Sequence, residues 1–167
     1  MVAKSQYDII IKKYDGNLAL ISELGQLIER DYSELFHSAI VHGSVATNEV
    51  IPYSDFDGLL VVKDGFVTSK QLVSFKNESM KLILKFDPLQ HHGWFQIKES
   101  DLDNYPESYL PVSILKHSKL IYPREDSLNF NLKVSGNTDY KKSLIAILNQ
   151  FEFRIQNQWR PKNIYEL

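Results

Sequence analysis

The fold class predicted for this 167-residue chain is α/β (α+β), on three observations. Short apolar runs of strand length alternate with longer stretches of helical periodicity, the signature of a sheet covered by helices. The composition is that of a globular protein, 43% hydrophobic and 24% charged. The length suits one domain with a substantial core.

Taken in order, Tyr7, Ile10, Ile11 and Tyr14 recur at helical spacing until Asp15-Gly16-Asn17 breaks the pattern. Leu20, Ile21, Leu24, Leu27 and Ile28 form an apolar stripe, so 18–34 reads as an amphipathic helix. Two helices therefore precede the first strand, which runs from Phe36 to Val41 and ends abruptly at His42-Gly43-Ser44. Residues 45–54 read as a loop with one helical turn. A strand over 55–62 (DFDGLLVV) stops at the turn residues Lys63-Asp64-Gly65. Thr68 caps a helix over 69–85, which Asp87-Pro88 terminates, because the residue before proline is pushed out of the α region. A third strand spans 90–97, a turn or short helix lies over 100–109, and a short fourth strand covers 119–122. After a loop holding Gly136 and Asn137 comes a last helix, with Tyr140, Leu144, Leu148, Phe151, Ile155 and Trp159 on its apolar side, stopped at Arg160-Pro161. An apolar element begins at Ile164 and is cut off at Leu167, either a frayed tail or part of a longer protein; the second is the expectation.

Nineteen Lys and Arg against twenty-one Asp and Glu leave a formal charge of −2, which excludes a strongly basic nucleic-acid-coating protein. The absence of cysteine excludes a disulfide framework, a thiolate zinc site, an iron–sulfur cluster and a cysteine nucleophile. No apolar run approaches the roughly 20 residues of a membrane helix, and no signal-peptide core opens the chain. A soluble, cytoplasmic domain with no membrane partner is expected.

The chemistry concentrates at Val41-His42-Gly43-Ser44, followed ten residues later by Asp55-Phe56-Asp57. Alternation along a strand turns Asp55 and Asp57 to one side and Phe56 to the other. Two adjacent carboxylates repel unless a cation lies between them, and Mg²⁺ takes one or two carboxylates together with phosphate oxygens. Gly43 permits a sharp bend and close approach of a phosphate, while Ser44 offers a hydroxyl and neighbouring N–H groups to an anion. Either feature alone is usually a turn or a pair of solvated acids. Their order, spacing and position at strand boundaries favour a site.

In these residues the chain resembles the nucleotidyltransferase superfamily that includes DNA polymerase beta, the aminoglycoside nucleotidyltransferases and the minimal nucleotidyltransferases. The pattern is a hydrophobic residue, Gly-Ser or Gly-Gly, a gap of roughly ten residues, then an acid–hydrophobic–acid triplet on a strand. Gly43-Ser44 and Asp55-Phe56-Asp57 meet it, Ser54 is common before the first acid, and the likeness covers 36–62 well and about 36–97 in element order. It implies a small mixed sheet with helices packed mainly on one face. On it the chain divides into N-terminal helices (1–35), a nucleotidyltransferase core (36–125) and a C-terminal helical segment (126–167). It implies that Asp55 and Asp57 hold Mg²⁺ or Mn²⁺, that Gly43 and Ser44 hold the phosphates of a nucleoside triphosphate, and that a nucleoside monophosphate passes to an acceptor: protein, RNA or small molecule.

One departure stands out. The superfamily usually carries a third carboxylate on the next core strand, but here that segment reads Gln90-His91-His92-Gly93-Trp94-Phe95. His91 and His92 face opposite sides, and a neutral imidazole there can serve as base; the alternative is one buried, hydrogen-bonded ring and one exposed ring. Asp87 reads as a cap rather than a ligand. Without a base the protein is a nucleotide-binding relative acting as a partner or antitoxin-like protein. His42 lines the pocket or packs at a strand end, and His37 and His117 have no partner pattern. Lys141, Lys142, Arg154, Arg160 and Lys162 make the C-terminus basic, a solvated face or a seat for a polyanion such as RNA.

Overall fold

A computed structural model describes residues 4–89, 93–107 and 109–135, together with positions 144, 145, 148, 149 and 152. Its framework is one mixed six-stranded sheet in the order β4-β3-β2-β5-β1-β6. The strands are β1 (Lys4–Lys13), β2 (Phe36–Val41), β3 (Asp57–Val62), β4 (Gly93–Lys98), β5 (Lys119–Tyr122) and β6 (Ser127–Ser135). β2 runs antiparallel to both its neighbours, β3 and β5, whereas β4 runs parallel to β3 and β1 parallel to β5. The parallel β3–β4 step needs a crossover, and α3 (Lys70–Phe86) supplies it.

The longer helices lie on one face. α1 (Ala19–Leu27), prolonged by a π-helical turn over Ile28–Tyr32, and α3 place Leu24, Ile28, Phe75 and Ile83 against Phe36, Phe56 and Leu60 of the sheet side, all of them buried. The opposite face is covered by short elements, a 3-10 turn (Glu99–Asn104) and the segment around α4 (Val112–Leu115). There Tyr105, Leu110 and Leu115 bury Ile11, Ile40, Leu59 and Phe130. Between β2 and β3 lies α2 (Gly43–Thr47), a single helical turn. Among the described residues no helix is long and apolar enough to cross a membrane.

Several expectations are corrected. Residues 4–13 form a strand, not a helix: Ile9 and Ile11 are buried while Ile10 between them is 65% exposed, a period of two that no helix produces. Residues 127–135 form a strand as well, alternating buried Phe130, Leu132 and Val134 with exposed Asn129, Asn131 and Lys133. Since β1 and β6 belong to the same sheet as β2–β5, boundaries at 35/36 and 125/126 would cut that sheet. The cap of α3 is Ser69, whose hydroxyl accepts the Leu72 N–H at 3.1 Å, in place of Thr68. Asp55 and Phe56 precede β3 instead of opening it. The fourth expected strand, 119–122, stands as read. Gln90, His91 and His92 lie outside the described residues, as do Gly136, Asn137, Tyr140, Phe151, Ile155, Trp159, Ile164 and the basic positions Lys141, Lys142, Arg154, Arg160 and Lys162; Leu144 and Leu148 are helical.

Candidate functional site

The bend and Asp57 are brought together by the β2–β3 register, with Asp55 two residues upstream of that contact. Val41 is the antiparallel partner of Gly58, and beyond that pair the His42 N–H donates to the Asp57 carbonyl at 2.9 Å. The chain then turns at Gly43, whose φ of +66° belongs to the left-handed region, and enters α2. A Cβ built on Gly43 would stand 2.9 Å from Asp57 Oδ2. Glycine is thus required twice, by the backbone angle and by the carboxylate lying against its α-carbon. α2 ends at Asn48 in the left-handed conformation (φ 59°), which asparagine tolerates.

The acidic segment is held from beneath. Phe56 is fully buried in the helix-side core, edge-to-face with Trp94 at 5.0 Å, which leaves Asp55 and Asp57 on either side of it half-buried. The Phe56 N–H, midway between the two acids, donates to Asp87 Oδ2 at 3.3 Å. Asp87 is buried at the C-terminus of α3, so it works as a backbone fastener for the segment that carries the pair. Upstream, Ser54 secures the loop before Asp55: its hydroxyl accepts the Ile51 N–H at 3.0 Å, and its own N–H donates to the Ile51 carbonyl. The next residue back, Tyr53, has φ +74°.

Beside the bend opens a cavity of about 590 Å³. His42, Gly43, Ser44 and Thr47 line one side, and Ser113 and His117 from the α4 region line the other. Asp55 and Asp57 are not in its wall; Asp57 adjoins it through Gly43. The His42 ring is buried and packs at 5.8 Å against Phe95, which meets Tyr109 edge-to-face. Sequence spacing gave no hint of the α4 side. His117 and Ser113 reach the bend only because β5 pairs with β2, Val41 opposite Lys119. His37 sits elsewhere, against Phe130 and within 3.2 Å of the Ser38 hydroxyl.

On β4 the residues opposite β3 are set by register: Gly93 pairs with Asp57, Phe95 with Leu59 and Ile97 with Val61. Paired residues share a face. The β4 positions on the Asp57 face are therefore apolar, and no carboxylate stands there among the described residues. Nor do three or more His, Asp or Glu side chains converge as a metal site among the described residues. Two half-buried carboxylates still match the demand of Mg²⁺, which completes its octahedron with phosphate oxygens and water. The donor set fits such an ion only when a phosphate ligand accompanies it.

Comparison of the chain with models of protein families, with curated proteins and with solved structures finds no match.

Proposed function

We propose that the protein is a metal-dependent nucleotidyltransferase, acting in the cytoplasm, that moves a nucleoside monophosphate from a nucleoside triphosphate to an acceptor hydroxyl. The observation that supports it most is the contact between the Gly43 bend and the Asp57 carboxylate, which sets an opening of about 590 Å³ next to one of the two acids. Asp55 and Asp57 would hold Mg²⁺ or Mn²⁺, and Gly43 and Ser44 the phosphates of the donor. The metal, when bound, neutralises charge on the triphosphate and fixes its orientation. Asp87 keeps the Asp55–Asp57 backbone in place through the Phe56 N–H. In the transfer, the acceptor oxygen bonds to the α-phosphorus in line as the bond to the bridging oxygen breaks. Pyrophosphate departs with that electron pair, and the acceptor proton passes to a base. Titrating ATP and other nucleoside triphosphates with Mg²⁺ into wild type, Asp55→Asn and Asp57→Asn tests the reading. Binding should weaken at least tenfold in each variant, and equal binding in all three would sink it.

A second reading has its own support: Gly93, Phe95 and Ile97 provide no acid opposite Asp57, Leu59 and Val61, and Asp87 is occupied with a backbone N–H. On it the protein binds nucleotide without efficient transfer and acts as a partner or antitoxin-like protein. Incubation with ATP labelled on the α-phosphate separates the two. Label found on a protein, an RNA or a small molecule eliminates the pure binder.

A further inference from the structure

Past the bend the cavity has a neighbour. Thr47 and His117, which line it, also line a second opening of about 370 Å³ whose other walls include Lys12, Asp15, Lys116 and Lys119. The walls of this groove come from β1, the turn before β5 and α2, far apart in the chain but adjacent because β5 is flanked by β1 and β2. Three lysines face one aspartate there, in a chain of formal charge −2. Lys119 is spoken for: its ammonium contacts both oxygens of Asp15 at 2.9 Å, a hydrogen bond and charge that hold the Asp15 carboxyl below its ordinary value. Lys12 and Lys116 are exposed, and among the described residues neither is ion-paired.

We propose that this groove is a phosphate site, in which Lys12, Lys116 and His117 receive the terminal phosphates of a polyphosphate ligand. The three side chains that would bind, Lys12, Lys116 and His117, lie outside 36–97, and only the α2 wall of the groove belongs to the segment that carries the family likeness. The direction of the ligand rests on the nucleotidyltransferase reading. Going from Asp57 through Gly43, Ser44 and Thr47 to His117 and Lys116, the groove lies beyond the bend from Asp57. In an in-line displacement the acceptor approaches opposite the leaving group, so the groove takes the pyrophosphate end and is closed to the acceptor. Electrostatically it is suited to a flexible polyanion: separate ammonium groups bind phosphate as point charges without fixing its angle.

The test uses the full chain and calorimetry with tripolyphosphate alone, ATP–Mg²⁺ and AMP–Mg²⁺, on wild type and on Lys12→Ala/Lys116→Ala. As a control, Lys70→Ala/Lys85→Ala removes the same charge from exposed positions on α3. The groove variant should bind tripolyphosphate and ATP about tenfold more weakly, with AMP unchanged and the control like wild type. The difference should shrink as salt is raised. Equal tripolyphosphate affinity in the groove variant and wild type overturns the proposal, as does an equal loss in the control. If wild type binds tripolyphosphate through these lysines but binds no nucleotide, the groove stands and the nucleotidyltransferase reading falls. Should it bind neither, both fall.

Discussion

At the scale of single residues, Gly43 carries the most specific demand. Its φ of +66° costs an L-residue roughly 1–2 kcal/mol, and a methyl group would press on Asp57 Oδ2 from 2.9 Å. Gly43→Ala should therefore lower stability by about 1 kcal/mol or more and, under the proposed function, should by displacing the carboxylate weaken nucleotide binding beyond what the lost stability explains. Gly65→Ala is the matched control, since nothing stands within 4 Å of the added carbon. Thermal melts and an ATP–Mg²⁺ titration of both variants check this; wild-type binding by Gly43→Ala would remove the Gly43–Asp57 contact from any account of the site. The Gly-Ser pair and the two acids are legible in the sequence because each is a local motif at a strand boundary. The contact between them depends on the register of Val41 with Gly58. His117 and Lys116 are not legible at all, since α4 is a single four-residue turn with no periodicity to read.

Secondary-structure elements show where periodicity misleads. Tyr7, Ile10, Ile11 and Tyr14 fit helical spacing, yet the inward set of β1 is Tyr7, Ile9 and Ile11, which shares two members with the helical stripe. With three isoleucines in a row, neither period is excluded by the residues alone, and β1 is decided by its partners: β6 over nine residue pairs from Lys4 to Lys12, and β5 at Lys12 and Lys13. β6 differs. Leu128, Phe130, Leu132 and Val134 alternate with polar residues in a plain period of two, so the strand was available in the sequence and the expected helical segment overlooked it. The two accounts of 4–13 diverge sharply on mutation. In a helix, Ile10 and Ile11 share a face and both substitutions are costly. In the strand, Ile11→Ala removes a side chain only 1% exposed and should cost about 2–5 kcal/mol, while Ile10→Ala, at 65% exposure, should stay within about 0.5 kcal/mol. Urea unfolding of the two variants settles it: similar losses would restore the helix. The same logic separates caps, with the Ser69 hydroxyl bound to Leu72 N–H making Ser69 and not Thr68 the sensitive position.

For the whole molecule, the sheet order makes one cooperative unit of segments that the motif pattern divides. The β2–β3–β4 half, which carries the candidate site, is joined to the β1–β6 half through the four-residue strand β5, paired with β2 on one side and β1 on the other. The core on the α4 side crosses that junction, with Ile40 and Leu59 in the same cluster as Ile11 and Phe130. A loss at one edge should thus be felt at the other. Phe130, 1% exposed on edge strand β6, and Trp94 on edge strand β4 make the two ends of the test. In a Trp159→Phe background, Trp94 is the single tryptophan and reports the β4 end alone. Phe130→Ala should destabilise by about 3–5 kcal/mol, and in a two-state unit the urea midpoint read from Trp94 fluorescence must move as far as the midpoint read from circular dichroism. If Trp94 unfolds at its original midpoint while the dichroism splits into two steps, then residues 36–125 fold as a separate core. In that case the lysine groove, which takes Lys12 from β1, would be an interface between independently folding parts.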